Sequence, residues 1–138
     1  DRSPSRGLGD VYKRQEFKEA YEKMKLGDHS VIYEHGSIGE KDEYFGISNR
    51  PPHFFEKAVD NGWLKWIFCG HDHLNTLSLT YKGIRMTYGM SIDYLGYSGI
   101  AKQYIQRGAT LITRKTNGNI DITMVPLTTV VSTRVRGA

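Results

Sequence analysis

The stretch that most narrows what this chain can fold into is residues 63–75, Trp-Leu-Lys-Trp-Ile-Phe-Cys-Gly-His-Asp-His-Leu-Asn. Its first half is apolar and aromatic, the composition of a short buried strand. Gly70 stops the strand, and His71, Asp72 and His73 follow at once on a turn at the sheet edge. A glycine at that place lets the backbone take angles other residues avoid and lets a ligand come close. If the segment stays extended, residues two apart point the same way and lie roughly 6–7 Å apart. That separation suits two imidazoles holding one ion each of a pair about 3.5–4 Å apart.

Two histidines one residue apart also occur on surface loops with no role, and two ligands do not complete a metal site. Context favours chemistry here: an aromatic strand, a glycine, the pair, then polar Asn75. Cys69 has two readings, a metal ligand beside the histidines or a small buried strand residue, the setting in which free cysteine is commonest. Being the only cysteine, it forms no internal disulfide, and nothing requires an oxidising compartment.

Gly70-His71-Asp72-His73 resembles the Gly-His-x-His signature of the calcineurin-like metallophosphoesterases, which include the purple acid phosphatases. The likeness runs past the motif. Residues 68–75, then Tyr81-Lys82-Gly83-Ile84 and Thr87-Tyr88-Gly89, are similar to a bacterial and fungal branch of that family. Arg107-Gly108-Ala109-Thr110-Leu111-Ile112 resembles the closing strand of that branch, so the resemblance covers roughly residues 16–127.

A chain of 138 residues is one domain in size, and 38% hydrophobic with 25% charged residues is the composition of a folded protein. No apolar run has the length of a membrane span, and no signal-peptide pattern is visible, so the compartment stays open and no membrane partner is expected. Residues 1–15 lack apolar periodicity and resemble a translated sequencing-adapter tail; a natural flexible arm is the other reading, and either way they stand outside the expected fold. They supply +2 of the net charge of +4. The remainder gives no reason to expect nucleic acid as a stable partner. The expected division is therefore a non-native tail over 1–15, a partial catalytic domain over 16–127 and a C-terminal tail over 128–138.

Phe17, Ala20, Tyr21 and Met24 follow helical spacing, Gly27 sits where the helix would end, and Lys18–Glu22 and Glu19–Lys23 can pair on the exposed side. Val31-Ile32-Tyr33 fits a short strand. Gly36, Gly39 and Gly46 then break the chain into loop, where Glu34, His35, Glu40, Asp42 and Glu43 form either a substrate lid or a solvated surface. Pro51 and Pro52 suit a helix start, with Phe54, Phe55, Ala58 and Val59 as its apolar face and Gly62 its stop. That helix leads into the strand before the histidines, read as central.

Beyond Asn75 the pattern alternates strictly. Leu77, Leu79 and Tyr81 oppose Thr76, Ser78 and Thr80, and Ile84, Met86 and Tyr88 oppose Arg85 and Thr87, with Lys82-Gly83 between the runs as a hairpin turn. Asn117-Gly118 marks a second hairpin between residues 109–116 and 119–125. Residues 89–108, rich in Gly, Tyr and Ser, read as a long loop returning toward His71. Tyr94 and Tyr97 are its substrate-near candidates, with packing the default reading for aromatic residues.

The local order is α+β: helix, loop, helix, strand, two hairpins. The resemblance implies the C-terminal half of a four-layer metallophosphoesterase fold, two mixed sheets face to face with helices outside. It implies a metal-dependent phosphoester hydrolase, a phosphatase with a dinuclear site of Zn, Fe or Mn class ions, with His71 on one ion and His73 on the other. Asp72 and Asn75 are then candidates for orienting ligand or substrate. The same resemblance exposes a gap. The family draws ligands from Asp-x-His, Gly-Asp, Gly-Asn-His and a lone His ahead of Gly-His-x-His, and only the last is matched. The expectation is thus a fragment that is inactive alone and whose parent hydrolyses a phosphoester. The competing expectations are a non-catalytic β-rich binding module with incidental histidines, and a structural zinc held by His71, His73 and Cys69 with a fourth ligand.

Overall fold

The structure, a computed structural model, describes residues 8–39, 45, 54–96, 100–102 and 105–128. Its elements run α1 (Leu8–Lys25), β1 (Val31–His35), α2 (Phe54–Asn61), β2 (Trp66–Cys69), β3 (Ser78–Tyr81), β4 (Ile84–Tyr88), a 3₁₀ turn over Ile100–Lys102, β5 (Gly108–Arg114) and β6 (Ile120–Pro126). The class is α+β, as the sequence order implies. Among the described residues no helix is long and apolar enough to cross a membrane.

Helix α1 buries Phe17 and Ala20 completely and lays Tyr21 and Met24 against the same core, the face set by the i, i+3, i+4, i+7 spacing. It begins at Leu8, nine residues ahead of Phe17, the first position its apolar spacing supports. Once a first turn exists, each further residue adds a hydrogen bond, so a helix extends through residues with no periodic face. Its end is a Schellman turn. Gly27, at φ 79°, donates to the Met24 carbonyl, and Asp28 donates to that of Lys23. Lys23 meets Glu19 at 2.8 Å, and Lys18 lies 3.9 Å from Glu22.

Helix α2 buries Phe55 and Ala58, and the Phe55 ring stacks on Tyr81 at 6.1 Å. Gly62, at φ 69°, ends it. Strand β2 then starts at Trp66, three residues later than the apolar run suggested, because Trp63 stays 68% exposed in the connection. Nor is β2 central. The four-stranded sheet has the order β1-β3-β4-β2, so β2 pairs in parallel with β4 and forms an edge among the described strands. Parallel pairing places the C-terminal ends of β2 and β4 side by side, and the histidine loop leaves from that end.

The β3–β4 hairpin turns on Lys82 and Gly83, both left-handed at φ 49° and 78°, the backbone a two-residue turn between right-twisted strands requires. The alternation divides these strands into two faces, and both carry buried residues: Leu79, Met86 and Tyr88 on the core side, Ser78 and Thr87 on the other. The polar side is covered because it satisfies itself. Ser78 Oγ lies 2.7 Å from Thr87 Oγ1, and Arg85 Nε donates to Ser78 Oγ at 3.0 Å.

Strands β5 and β6 form a separate two-stranded sheet. Its turn differs from the two-residue form that Asn-Gly suggests. Gly118 donates to the Lys115 carbonyl and Lys115 to that of Asn119, so Thr116, Asn117 and Gly118 make a three-residue loop with Gly118 left-handed at its end. The hairpin is tied to the main sheet at its base, where Gly108 donates to the Ser91 carbonyl and Met90 to Thr110 Oγ1.

Candidate functional site

Gly70 ends β2, and the chain turns. His71, rather than Gly70, takes the left-handed conformation at φ 80°, a position bulky residues occupy only where surrounding structure holds it. A turn closes directly behind it, with Asn75 donating to the Asp72 carbonyl. Residues 71–73 are therefore not extended, and the two imidazoles do not form a parallel pair on one strand edge. His71 is exposed. His73 is half-buried, and its Nδ1 lies 2.8 Å from Asp93 Oδ2.

Asp93 is the residue that sequence reading left unassigned within the 89–108 loop. Its carboxylate accepts from the backbone N–H of Leu95 at 2.9 Å and of Gly96 at 2.8 Å, as well as facing His73. The Leu95 N–H and His73 together outweigh desolvation and hold its carboxyl below the usual range. Gly96 is needed here: a methyl group on it would overlap the Asp93 carboxylate and crowd His73 Nδ1. Arg107, 7% exposed, staples the same loop by donating to the carbonyls of Ala101 and Ile92. The only signal in the sequence was an aspartate inside a glycine-rich loop expected to come back to the histidines.

Asp72 points the other way, into the core. It is 6% exposed and accepts from the Tyr88 hydroxyl at the end of β4, bracing the turn from beneath. Asn75 is fully buried, and its side-chain carbonyl accepts from the Gly39 N–H at 3.1 Å. Thr76 donates to the Ser37 carbonyl at 2.9 Å through its backbone N–H. Asn75 and Thr76 thus fasten the Gly36-Ser37-Ile38-Gly39 loop against the histidine turn. Gly36 approaches so closely that a methyl group would overlap the Thr76 carbonyl. Tyr94 is exposed, its ring 5.8 Å from the Arg107 guanidinium, and Tyr97 lies outside the described residues. Of the loop acids, Glu34 accepts from Thr80 Oγ1, while residues 40, 42 and 43 lie outside the described residues. His35 sits beside Arg85, and burial, with that charge added, holds its pKa below the ordinary histidine value.

A histidine whose Nδ1 faces a carboxylate is oriented as metal-ligating histidines are, with Nε2 as the metal's atom. His73 fits that role. Cys69 does not join it: its side chain packs in the hydrophobic core with Ile67 and Met86. Among the described residues no three of His, Cys, Asp and Glu converge as a group able to hold a metal ion. The donors therefore fit as one corner of a larger ligand set and do not form a complete site by themselves.

The fold and turn thus define an α+β chain with an oriented histidine at the C-terminal edge of a mixed sheet. A stretch of 47 residues is 38% identical to "Probable inactive purple acid phosphatase 14" of Arabidopsis thaliana; it covers 34% of this chain and 12% of that protein. No family model matches the chain. No solved structure matches it. The similarity points to a metallophosphoesterase-related family over that stretch.

Proposed function

We propose that this chain carries the C-terminal, Gly-His-x-His segment of a metal-dependent phosphoester hydrolase. The observation that carries the reading is the contact between His73 Nδ1 and Asp93 Oδ2, on the turn that follows an edge strand of the sheet. It orients an imidazole at the edge where α/β-type sheets place their chemistry. The partial likeness to a purple acid phosphatase homologue supports it, and that homologue is itself named inactive.

In this reading His71 and His73 would each contribute to one ion of a pair. Bound ions of this kind grip phosphoryl oxygens and bring a water to ionise near neutral pH. The chain's own residues set the stage. Asp93 fixes the His73 ring, Asp72 and Tyr88 brace the turn from the core, and Asn75 locks the neighbouring loop. The remaining ligands and the acid that protonates the leaving group would come from segments ahead of residue 16, so residues 16–127 alone are expected to be inactive.

The test has two parts. The source DNA ahead of the codon for Glu16 is expected to encode Asp-x-His, Gly-Asp, Gly-Asn-His and a further histidine in frame. In the protein expressed from that frame, His71→Ala or His73→Ala should abolish hydrolysis of an aryl phosphate without changing the circular dichroism spectrum. A start codon directly ahead with none of these motifs, or full activity in both variants, would overturn the assignment. A β-rich binding module would then be the better account.

A further inference from the structure

A concavity lies at the opposite end of the sheet from the histidines. It has a volume of about 420 Å³ and forms where β2 and β4 begin, with Asn119 of the β5–β6 turn on its rim. That volume falls in the range of small-ligand sites, roughly 300–1,000 Å³. Strands β2 and β4 run in parallel from this end toward the histidine turn. Four residues at about 3.3 Å each put the two places roughly 13 Å apart. A small molecule in the cavity therefore does not reach His73.

The lining divides by chemistry. Val59, Leu64 and Trp66 make an apolar wall, with the Trp66 ring half-buried. Lys65 and Lys82 supply two positive charges, and none of the described residues that line the cavity is acidic. Among the described residues neither lysine is ion-paired; Lys82 lies over the Tyr81 ring at 5.2 Å. Arg85 also lines the cavity, but its guanidinium is held by residues outside it: Nε donates to Ser78 Oγ at 3.0 Å, Nη2 lies 3.3 Å from His35 Nδ1, and Nη1 lies 3.9 Å from the Glu34 carboxylate. Thr80 and Asn119 add neutral hydrogen-bonding groups to the rim.

We infer that this cavity is a binding site for a small phosphorylated molecule with a flat apolar body, an aryl phosphate being the simplest case. Two exposed lysines at the cavity favour an anion, and the indole and aliphatic wall takes the ring. The site is separate from the histidine turn, and the inference does not rest on the phosphoesterase reading. Binding here places an organic phosphate on the far side of the sheet, as an effector site would.

The full chain is tested in a Trp63→Phe background, which leaves Trp66 as the only tryptophan. Phenyl phosphate is titrated while Trp66 fluorescence is followed. Saturable quenching is expected, and the Lys65→Ala/Lys82→Ala double variant should bind about tenfold more weakly or worse, as expected when charge-assisted contacts are lost. Both lysines are exposed, so circular dichroism should be unchanged. On the unsubstituted lysines, raising salt from about 0.01 M to about 1 M shortens the screening length from about 30 to about 3 Å and should weaken binding several-fold. Phenol should bind far more weakly than phenyl phosphate, and His73→Ala should leave the titration unchanged. Absence of saturation, equal affinity in the double variant, salt-independent binding, equal affinity for phenol, or loss of the signal in His73→Ala would each overturn the inference.

Discussion

Tyr88→Phe isolates the support beneath the histidine turn. The substitution removes one oxygen and keeps the ring, whose packing against Phe17 at 4.9 Å and Phe45 at 5.8 Å should persist. What is lost is the hydroxyl that donates to Asp72, a carboxylate only 6% exposed. Removing one partner of a buried hydrogen bond costs about 1–3 kcal/mol, because the remaining polar atom has lost its water as well. The expected destabilisation is therefore about 2 kcal/mol. Tyr88→Ala, which also empties the aromatic cluster, should cost about 3–5 kcal/mol. Urea unfolding followed by circular dichroism reads both, with the m-value unchanged if only the native contact is lost. In a heteronuclear NMR spectrum the amides of residues 71–73 should move in Tyr88→Phe while those of β5 and β6 stay in place. A cost below about 0.5 kcal/mol, the range of ordinary surface substitutions, would refute the argument that this pair braces the turn.

Two glycines of similar backbone angle separate strain from close packing. Gly62→Ala, at φ 69° with open space around it, should cost about 1 kcal/mol, whereas Gly36→Ala, at φ 79° against the Thr76 carbonyl, should cost at least about 2 kcal/mol more; urea midpoints check the difference. The Asp93 carboxyl titrates below the ordinary range because the folded loop donates to its charged form. Its contribution to stability is thus present above the unfolded-state value, about 3.9, and disappears as pH falls through the lower folded value. The amide shifts of Leu95 and Gly96 should follow that low midpoint. In Asp93→Asn the acid-side titration of those two amides should vanish.

The elements of this protein were legible because each depends on neighbours a few residues away. Phe17, Ala20, Tyr21 and Met24 repeat at the helical period, and they form the buried face of α1. Lys82-Gly83 fixed a hairpin because two adjacent left-handed residues suffice to reverse a strand. Asn117-Gly118 placed a reversal correctly but not its type. Closure from Lys115 to Asn119 depends on how the two strands register, and that is settled along their whole length.

The sequence by itself determined where the histidines stand: just past an apolar strand, on a turn, with a polar residue after them. Only the tertiary structure decided what each one does. His73 meets Asp93 twenty residues later, Asn75 meets Gly39 thirty-six residues earlier, and Asp72 turns inward to Tyr88. These partners follow from the parallel pairing of β2 with β4 and from the Arg107-stapled return of the loop. No period in the sequence encodes such pairings. They are fixed when the chain closes long loops and satisfies its buried polar groups together, a condition imposed by the whole fold rather than by any local run of residues.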